Sequence, residues 1–343
     1  YHIGADEPAG AWSESPTCKA MMARTRLTPK QLGAHFIERV SNDLAQRGIK
    51  PAGWSDGMGH TDAARMPDNV QSNIWGGLFT GGVAEAHDQA NRGWDIVLSI
   101  PDFAYLDMPY VPGPMEPGYD WAAREVDTFK VFGFMPENLP ANAATVTNIM
   151  AQQSSIEDKI PLEAGRRIMG LQGQLWSETV RSDARVDYML FPRLLALAER
   201  AWRRAPWEPA YVPGSRYAYG DARVDRNAIL AGCRDFSARL GANLENLDKA
   251  GVAYRLAPPG ARIVDGRLEA NAEFPALRIE YRVGDGAWRW FEVDVSDFVG
   301  AGPDLEAAGY CSTDADTHVL CSTTGIRYAS RSTMAETSAH FVG

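Results

Sequence analysis

The chain has 343 residues, long for one average domain and suited to two, one large and one small. Apolar residues make up 45% and charged residues 23%, which excludes the charge-rich, aromatic-poor composition of a disordered chain. With 34 basic against 44 acidic residues, a formal net charge of −10 and no long Lys/Arg run, the composition argues against a nucleic-acid partner. No apolar stretch approaches the roughly 18 residues that signal a transmembrane segment.

From Tyr1 to about Pro206 short apolar runs alternate with helical patterns, the order of βα units around a parallel sheet. The expected strands are Tyr1 to Ala5, Ile49 to Trp54, Val70 to Trp75, Asp95 to Pro101 and Ile168 to Trp176. Between the first two, Leu32, Phe36, Val40 and Leu44 recur every fourth residue, which predicts a helix over Pro29 to Arg47 stopped by Gly48. A second helix is expected from Val83 to Arg92, ended by Gly93. A third is expected from about Tyr188 to Arg204 with Leu194, Leu195, Ala198 and Trp202 inward. The stretch from Pro101 to Ile168 is rich in Pro and Gly, as a functional loop over a strand end would be.

After Pro206 a polar connector, Pro213 to Asp225, leads to a helix from about Arg226 to Ala250, and Pro258-Pro259-Gly260 breaks the chain. Beyond it, alternation such as Leu277-Arg278-Ile279-Glu280-Tyr281-Arg282-Val283, a Gly-Asp-Gly turn and Trp288-Arg289-Trp290 predict a separate all-β module. The expected domains are therefore 1–250 and 251–343. A parallel barrel closes with eight strands, so five imply a partial barrel, about strands 4–8. The opening Tyr1-His2-Ile3-Gly4 has neither Met nor a basic-then-apolar leader. The natural N-terminus and the missing N-terminal half of the barrel are thus expected upstream.

Cys18, Cys233, Cys311 and Cys321 show no zinc-site spacing, so no metal is expected. Cys311 and Cys321 lie ten residues apart, and a disulfide or two free thiols fit equally.

The strongest chemical signal is His2-Ile3-Gly4-Ala5-Asp6-Glu7, an apolar strand that stops at two carboxylates, with Trp12 five residues on. Catalytic groups of parallel barrels sit at strand C-termini. Mutual repulsion lets one of two neighbouring acids stay protonated near neutral pH. A bare Asp-Glu dipeptide also suits a helix N-terminus, so its companions decide. These are Trp54, Trp75 and Trp176, each at a predicted strand end, whose indole faces suit the apolar faces of sugar rings. Tyr105 and Asp107, and likewise Trp176 and Glu178, lie two apart, so each pair can aim an aromatic group and a carboxylate the same way. Asp6 and Glu7 are neighbours and would face opposite ways on a regular strand, which predicts a turn or bulge starting at Asp6.

These residues resemble glycoside hydrolase family 20, the β-N-acetylhexosaminidases, and most closely its bacterial chitobiase branch, over about Tyr1 to Trp207. The likeness rests on His2-x-Gly4-x-Asp6-Glu7 and on Tyr105-Leu106-Asp107 with Trp121 following. Gln174-Leu175-Trp176-Ser177-Glu178 and Ala198-Glu199-Arg200-Ala201-Trp202 extend it. It implies a (β/α)8 TIM barrel and retaining hydrolysis in which the substrate's own 2-acetamido oxygen is the nucleophile, with no cofactor. By the same resemblance Glu7 is the general acid and then base, Asp6 holds the acetamido N–H, and Tyr105 bonds its carbonyl. Trp54, Trp75 and Trp176 wall the pocket, Asp107 and Glu178 anchor sugar hydroxyls, and Trp121 stacks on the next sugar. The partners implied are chitobiose and short N-acetylglucosamine oligosaccharides, and family habit implies export to a periplasm or cell surface. The family's sugar-binding arginine and the other groups of its first barrel strands have no counterpart here.

The C-terminal module resembles the immunoglobulin-like domain that ends chitobiases, through Pro259-Gly260-Ala261, the strand around Tyr281 and Trp288 to Trp290. A structural buttress is favoured over carbohydrate binding. The competing class is a non-catalytic sugar-binding or scaffold protein that keeps the aromatic pocket alone.

Overall fold

The computed structural model describes residues 1–7, 9–114, 116–257, 260–264, 267–271, 273–274, 278–283, 289–291, 324–329 and 338–339. The chain divides into two compact units, one formed by Tyr1–Thr179 and Ala196–Val224, the other by Val180–Leu195 and Asp225–Gly343.

The first unit opens with an extended segment. Its residues Tyr1 to Gly4 pair in parallel with the strand after the first helices: Ala52 N–H donates to Tyr1 O, Ile3 N–H to Ala52 O and Trp54 N–H to Gly4 O, all at 2.8–2.9 Å. Helices α1 (Ala9–Glu14), α2 (Pro16–Thr25) and α3 (Pro29–Gln46) follow. The start of α3 is encoded locally by Pro29 at the first helical position and a capping box, in which Thr28 N–H donates to Gln31 Oε1 and Gln31 N–H to Thr28 Oγ1. Such a cap stabilises by ~1 kcal/mol. Gly48, at φ 73, ends it as expected.

The buried face of α3 differs from the predicted stripe. Leu32, Gly33, Ala34, Ile37, Glu38 and Ser41 are buried, whereas Phe36 is exposed, its ring 5.6 Å from that of Trp12. Small residues decide this. A Cβ on Gly33 would lie 3.1 Å from Trp12 Nε1, so the helix comes close along its small-residue side.

Strand β1 (Ala52–Trp54) leads through α4 (Ser55–Gly59) to β2 (Gln71–Ile74), then through α5 (Val83–Asn91) to β3 (Asp95–Leu98). Helices α6 (Pro101–Ala104) and α7 (Thr128–Phe132) and strand β4 (Ser155–Glu157) precede β5 (Ile168–Leu171). The order is β1-β2-β3-β5, all parallel, with Trp54 opposite Asn73, Asn73 opposite Val97 and Leu98 opposite Leu171. With the opening segment this makes five consecutive parallel strands, a partial (β/α)8 barrel as expected. Each strand is shorter than predicted: β3 and β5 stop early at their C-terminal ends, β1 starts late at Ala52, and β2 is trimmed by one residue at each end.

One face of the sheet meets helices: Ser72 Oγ donates to Gln89 Oε1 of α5 at 2.5 Å, and Gln89 Nε2 to Ser55 O at 2.9 Å. By alternation Gln71 and Asn73 face the other side, where Asn73 donates to Gln172 and Gln71 Nε2 donates to Asn73 Oδ1. Along this inner face the buried Asn73 amide is held by the half-buried Gln71 and the exposed Gln172.

The stretch between Pro101 and Ile168 carries a core of its own, with Phe103, Leu106, Met108, Tyr110, Phe132, Phe134 and Met135 buried and Phe103 stacked on Phe134 at 4.3 Å. The polar connector contributes β6 (Arg216–Ala218), antiparallel to β4. The predicted helix from Tyr188 to Arg204 is two helices, α8 (Asp183–Leu190) and α9 (Arg193–Trp202), because Pro192 cannot continue the hydrogen-bond ladder. The inward side of α9 is also different: Arg193, Ala196, Leu197 and Arg200 are buried, Ala198 is exposed and Trp202 is 94% exposed. Arg193 Nε donates to Met189 O at 2.7 Å, and the Arg200 guanidinium lies over the Phe132 and Trp207 rings at 4.6 and 5.3 Å. Two partnered arginines thus displace the hydrophobic stripe that periodicity alone selects.

In the second unit α10 (Arg226–Ala250) has the predicted bounds. Its N-cap Asp225 accepts from Asn227 and Ala228 N–H, and Cys233, Phe236, Leu240 and Leu244 are buried at helical spacing. Beyond it β7 (Gly260–Val264) and β8 (Arg267–Asn271) form a hairpin. Strands β9 (Arg278–Val283), β10 (Arg289–Phe291), β11 (Thr324–Ala329) and β12 (Ser338–Ala339) form an antiparallel sheet in the order β10-β9-β11-β12. The expected Gly-Asp-Gly turn, Trp288, Cys311 and Cys321 lie outside the described residues. Among the described residues no helix is long and apolar enough to cross a membrane.

Gly82 tests the packing of α5 on β2. It has helical angles, so alanine would ordinarily gain up to ~1 kcal/mol there, but its Cβ would fall 2.1 Å from Gly76 O. Gly82→Ala is expected to destabilise by about 1–3 kcal/mol in urea unfolding. Gly170→Ala, with nothing within 4 Å of its Cβ, should stay within about 0.5 kcal/mol of the parent.

Candidate active site

The opening strand stops pairing at Gly4, where the backbone turns: φ is 76 at Gly4, 77 at Ala5 and 46 at Glu7. The turn expected at Asp6 therefore begins two residues earlier. Three left-handed positions, two of them non-glycine, cost of order 1–3 kcal/mol each where Cβ is present, and such strain persists only where surroundings over-determine it. Here α4 does so. The Cβ that Gly57 lacks would lie 1.9 Å from Ala5 O, so helix and turn backbones are in direct contact. Asp56 of the same helix accepts the Glu7 N–H on Oδ2 at 2.8 Å and the Trp75 indole N–H on Oδ1 at 3.0 Å. The turn lets both neighbours leave the strand, and Asp6 and Glu7 are both exposed.

The second half of the site is set by an extra parallel bridge beyond the ends of β3 and β5. Tyr105 pairs with Gln174: Leu106 N–H donates to Gln174 O at 2.6 Å and Gln174 N–H to Ala104 O at 2.8 Å. This brings Tyr105 level with Trp176, ring centroids 6.0 Å apart and edge to face, while Trp176 lies 5.9 Å from Trp54 and Trp54 lies 5.0 Å from His2. On its other side Tyr105 meets Trp121 at 5.6 Å. The loop bearing Trp121 is fixed at Gly118, at φ 117, where a Cβ would stand 2.5 Å from Asp107 O.

Electrostatics tie these groups into one neighbourhood. Burial pushes the Tyr105 phenol well above its ordinary pKa, and the charges of Asp107, Asp6 and Glu7 push it the same way, so it is a hydrogen-bond donor at every physiological pH. Asp107 is 4% exposed; burial raises its pKa to about 6, and the charge of Glu178 adds to the rise. Its Oδ1 is buried with no hydrogen-bond partner, an acceptor suited to a hydroxyl group.

Ring contacts thus bring Trp54, Tyr105, Trp121 and Trp176 together beside the buried Asp107. Asp6, Glu7 and Glu178 are exposed and reach this cluster through their charges, and Trp75 is tied to Glu7 through Asp56. Trp12 is not among them and packs beside α3. A separate cleft of about 470 Å³, lined by His2, Lys50, Gln71 and Gln172 among others, includes only Trp54 of the predicted set, since it follows the strand bodies rather than their ends. Sequence reading missed Asp56, Gly57 and Gly118. An Asp-Gly pair after a strand looks like an ordinary turn, and only its contacts with Ala5, Glu7 and Trp75 single it out.

A parallel arc with carboxylates and indoles at its strand ends defines part of a (β/α)8 barrel with an acidic and aromatic rim. The model of glycosyl hydrolase family 20, catalytic domain, matches residues 1–205, and the chain belongs to that family. The chitobiase/beta-hexosaminidase C-terminal domain matches residues 243–300. A beta-hexosaminidase of Vibrio vulnificus is 39% identical over 307 residues, 85% of this chain and 36% of that protein. The N,N'-diacetylchitobiase of Vibrio harveyi is 38% identical over 282 residues, 81% of this chain and 32% of that one. The solved GH20 exo beta-N-acetylglucosaminidase from Vibrio harveyi, in complex with N-acetylglucosamine, aligns with TM-score 0.49 and 30% identity, over 74% of this chain and 32% of its own. The chain spans about a third of the length of these relatives.

Asp107 yields a pH test. Because its pKa in the fold stands at about 6 against an ordinary 3.8, the folded state holds the extra proton, and stability is lost as pH rises from about 4 through 6. Above that window the buried charge costs on the order of 3 kcal/mol. Asp107→Asn should therefore raise the melting temperature relative to the parent at pH 8 and not at pH 4; an equal change at both would contradict the assignment.

Proposed function

We propose that this protein is a retaining exo-β-N-acetylhexosaminidase of the chitobiase type, which removes terminal β-linked N-acetylglucosamine from chitobiose and short N-acetylglucosamine oligosaccharides. The observation that carries this reading is the cluster of Trp54, Tyr105, Trp121 and Trp176 at the strand ends, with Asp6 and Glu7 in the turn that closes the opening strand, in a chain of family 20.

The proposed reaction is substrate-assisted and needs no cofactor, because the nucleophile comes with the sugar. The 2-acetamido oxygen attacks the anomeric carbon as the glycosidic bond breaks, and Glu7 gives its proton to the departing oxygen. The oxazolinium so formed is opened by water, whose proton returns to Glu7. An intramolecular nucleophile has a very high effective concentration, so the protein's task is to hold it in line. Tyr105, kept protonated by its burial, donates to the acetamido carbonyl, and Asp6 accepts from the acetamido N–H and stabilises the developing positive charge. Trp54, Trp75 and Trp176 wall the N-acetyl group and ring. Asp107 and Glu178 accept from hydroxyls of the non-reducing sugar, which would limit cleavage to chain ends, and Trp121, half exposed, stacks on the next sugar. Export to a periplasm or cell surface, and the extent of the two domains as 1–250 and 251–343, belong to the same proposal.

The test is hydrolysis of an aryl N-acetyl-β-glucosaminide by the full encoded protein. On chitobiose, whose departing sugar needs the proton, Glu7→Gln is expected to lower kcat by about 10²–10⁴-fold, the usual worth of a general acid and base; an unchanged rate there would remove Glu7 from the role. Replacing the substrate's N-acetyl group by a hydroxyl should nearly abolish turnover, whereas equal rates would contradict the substrate-assisted route. Asp6→Ala should weaken an oxazoline-mimicking inhibitor. Weak binding indifferent to Asp6 would favour a sugar-binding scaffold instead.

A further inference from the structure

Asp56 stands where β1 passes into α4, and both of its carboxylate oxygens are used, each by a different strand end. Oδ2 accepts the backbone N–H of Glu7 and Oδ1 the indole N–H of Trp75. Glu7 itself is held at φ 46, a conformation a residue with a Cβ does not keep unaided. The helix that carries Asp56 is pressed against the preceding turn at Gly57, whose missing Cβ makes room for Ala5 O. Ser55, beside Asp56, is fully buried, and its carbonyl accepts from Gln89, so the base of the helix is anchored to α5. Asp56 is thus a fork that ties the backbone of Glu7 to the indole of Trp75.

We propose that Asp56 is a positioning residue for proton donation: it sets the backbone of Glu7 and the Trp75 wall at one separation, so that the Glu7 carboxyl meets the glycosidic oxygen of a sugar resting against the tryptophan. This rests on the role given above to Glu7. Only a carboxylate suits the fork, because both incoming groups are donors; asparagine offers one acceptor and would turn an N–H₂ group toward the other donor. Asp56 touches no reacting atom in this scheme, and its effect passes through the two groups it holds.

A positioning role can be told from a structural one by the leaving group. Chitobiose leaves as a poorly acidic sugar hydroxyl and needs the proton, whereas 2,4-dinitrophenolate leaves without one. In the full encoded protein, Asp56→Asn is expected to lower kcat/KM on chitobiose by about 10²-fold, the scale of a misplaced acid, and kcat/KM on the dinitrophenyl N-acetyl-β-glucosaminide by less than about 5-fold, because kcat/KM ends at glycosidic cleavage and leaves out the water step that Glu7 serves as base. Equal losses on the two substrates, or no loss, would overturn the inference. Should the asparagine variant not fold, Asp56→Ala, which removes both acceptors without opposing donors, carries the same comparison. Glu7→Gln, run alongside, separates the two levels. If it lacks the leaving-group split, the reading of Glu7 fails; if it has the split and the Asp56 variant does not, only the inference about Asp56 fails.

Discussion

The turn from Gly4 to Glu7 is the constraint on which the rest of the site depends. Adjacent residues of a strand face opposite ways, so an Asp-Glu pair serves one site only if the backbone leaves the strand before reaching it. The chain does so through left-handed angles at Gly4, Ala5 and Glu7, two of them unfavourable for a side chain. That conformation is supported from below by a helix that carries no Cβ at the point of contact, Gly57, and by the hydrogen bond from Glu7 to Asp56. Sheet, helix and turn are therefore one mechanical unit, and the strain at the acid pair is held by packing that lies outside it.

A similar logic governs the other wall. Tyr105 and Asp107 lie in a long connection, where a chain of this length would ordinarily be mobile. The Tyr105–Gln174 bridge extends the parallel pairing past β3 and β5, and the apolar cluster around Phe103 and Phe134 gives the connection a core. The price is a buried carboxylate at Asp107, whose pKa rises to about 6 because water no longer solvates its charge. Stability is given up where a polar group is kept ready for a partner, a common arrangement at functional sites.

The inner face of the sheet is polar where a closed barrel of this kind is usually filled by branched apolar residues. Gln71, Asn73 and Gln172 are linked side chain to side chain, and Lys50 pairs with Asp95 at 2.5 Å. Such a face holds its geometry through directional bonds, and the buried Asn73 must stay paired to avoid the desolvation cost of a lone amide. Its neighbour Trp54 then has a defined bed from which to reach Trp176.

Much of this architecture was legible in the residues themselves, for reasons of local chemistry. The capping box at Thr28, the stop at Gly48 and the bounds of α10 are written in neighbouring residues, and the strand-end carboxylates and tryptophans are what led to the sugar site proposed above. What periodicity alone misjudged were the faces of α3 and α9 and the single helix expected across Pro192. A helical stripe says that some side is buried, whereas Gly33 against Trp12, and Arg200 over Phe132 and Trp207, decide which. Asp56 was invisible for the same reason: its value comes from Glu7 and Trp75, 49 and 19 residues away. The sequence by itself determined which elements form and which chemical groups are available. Only the tertiary structure decided which of them meet, because packing and hydrogen bonding between distant segments depend on shape and proximity that no local pattern encodes.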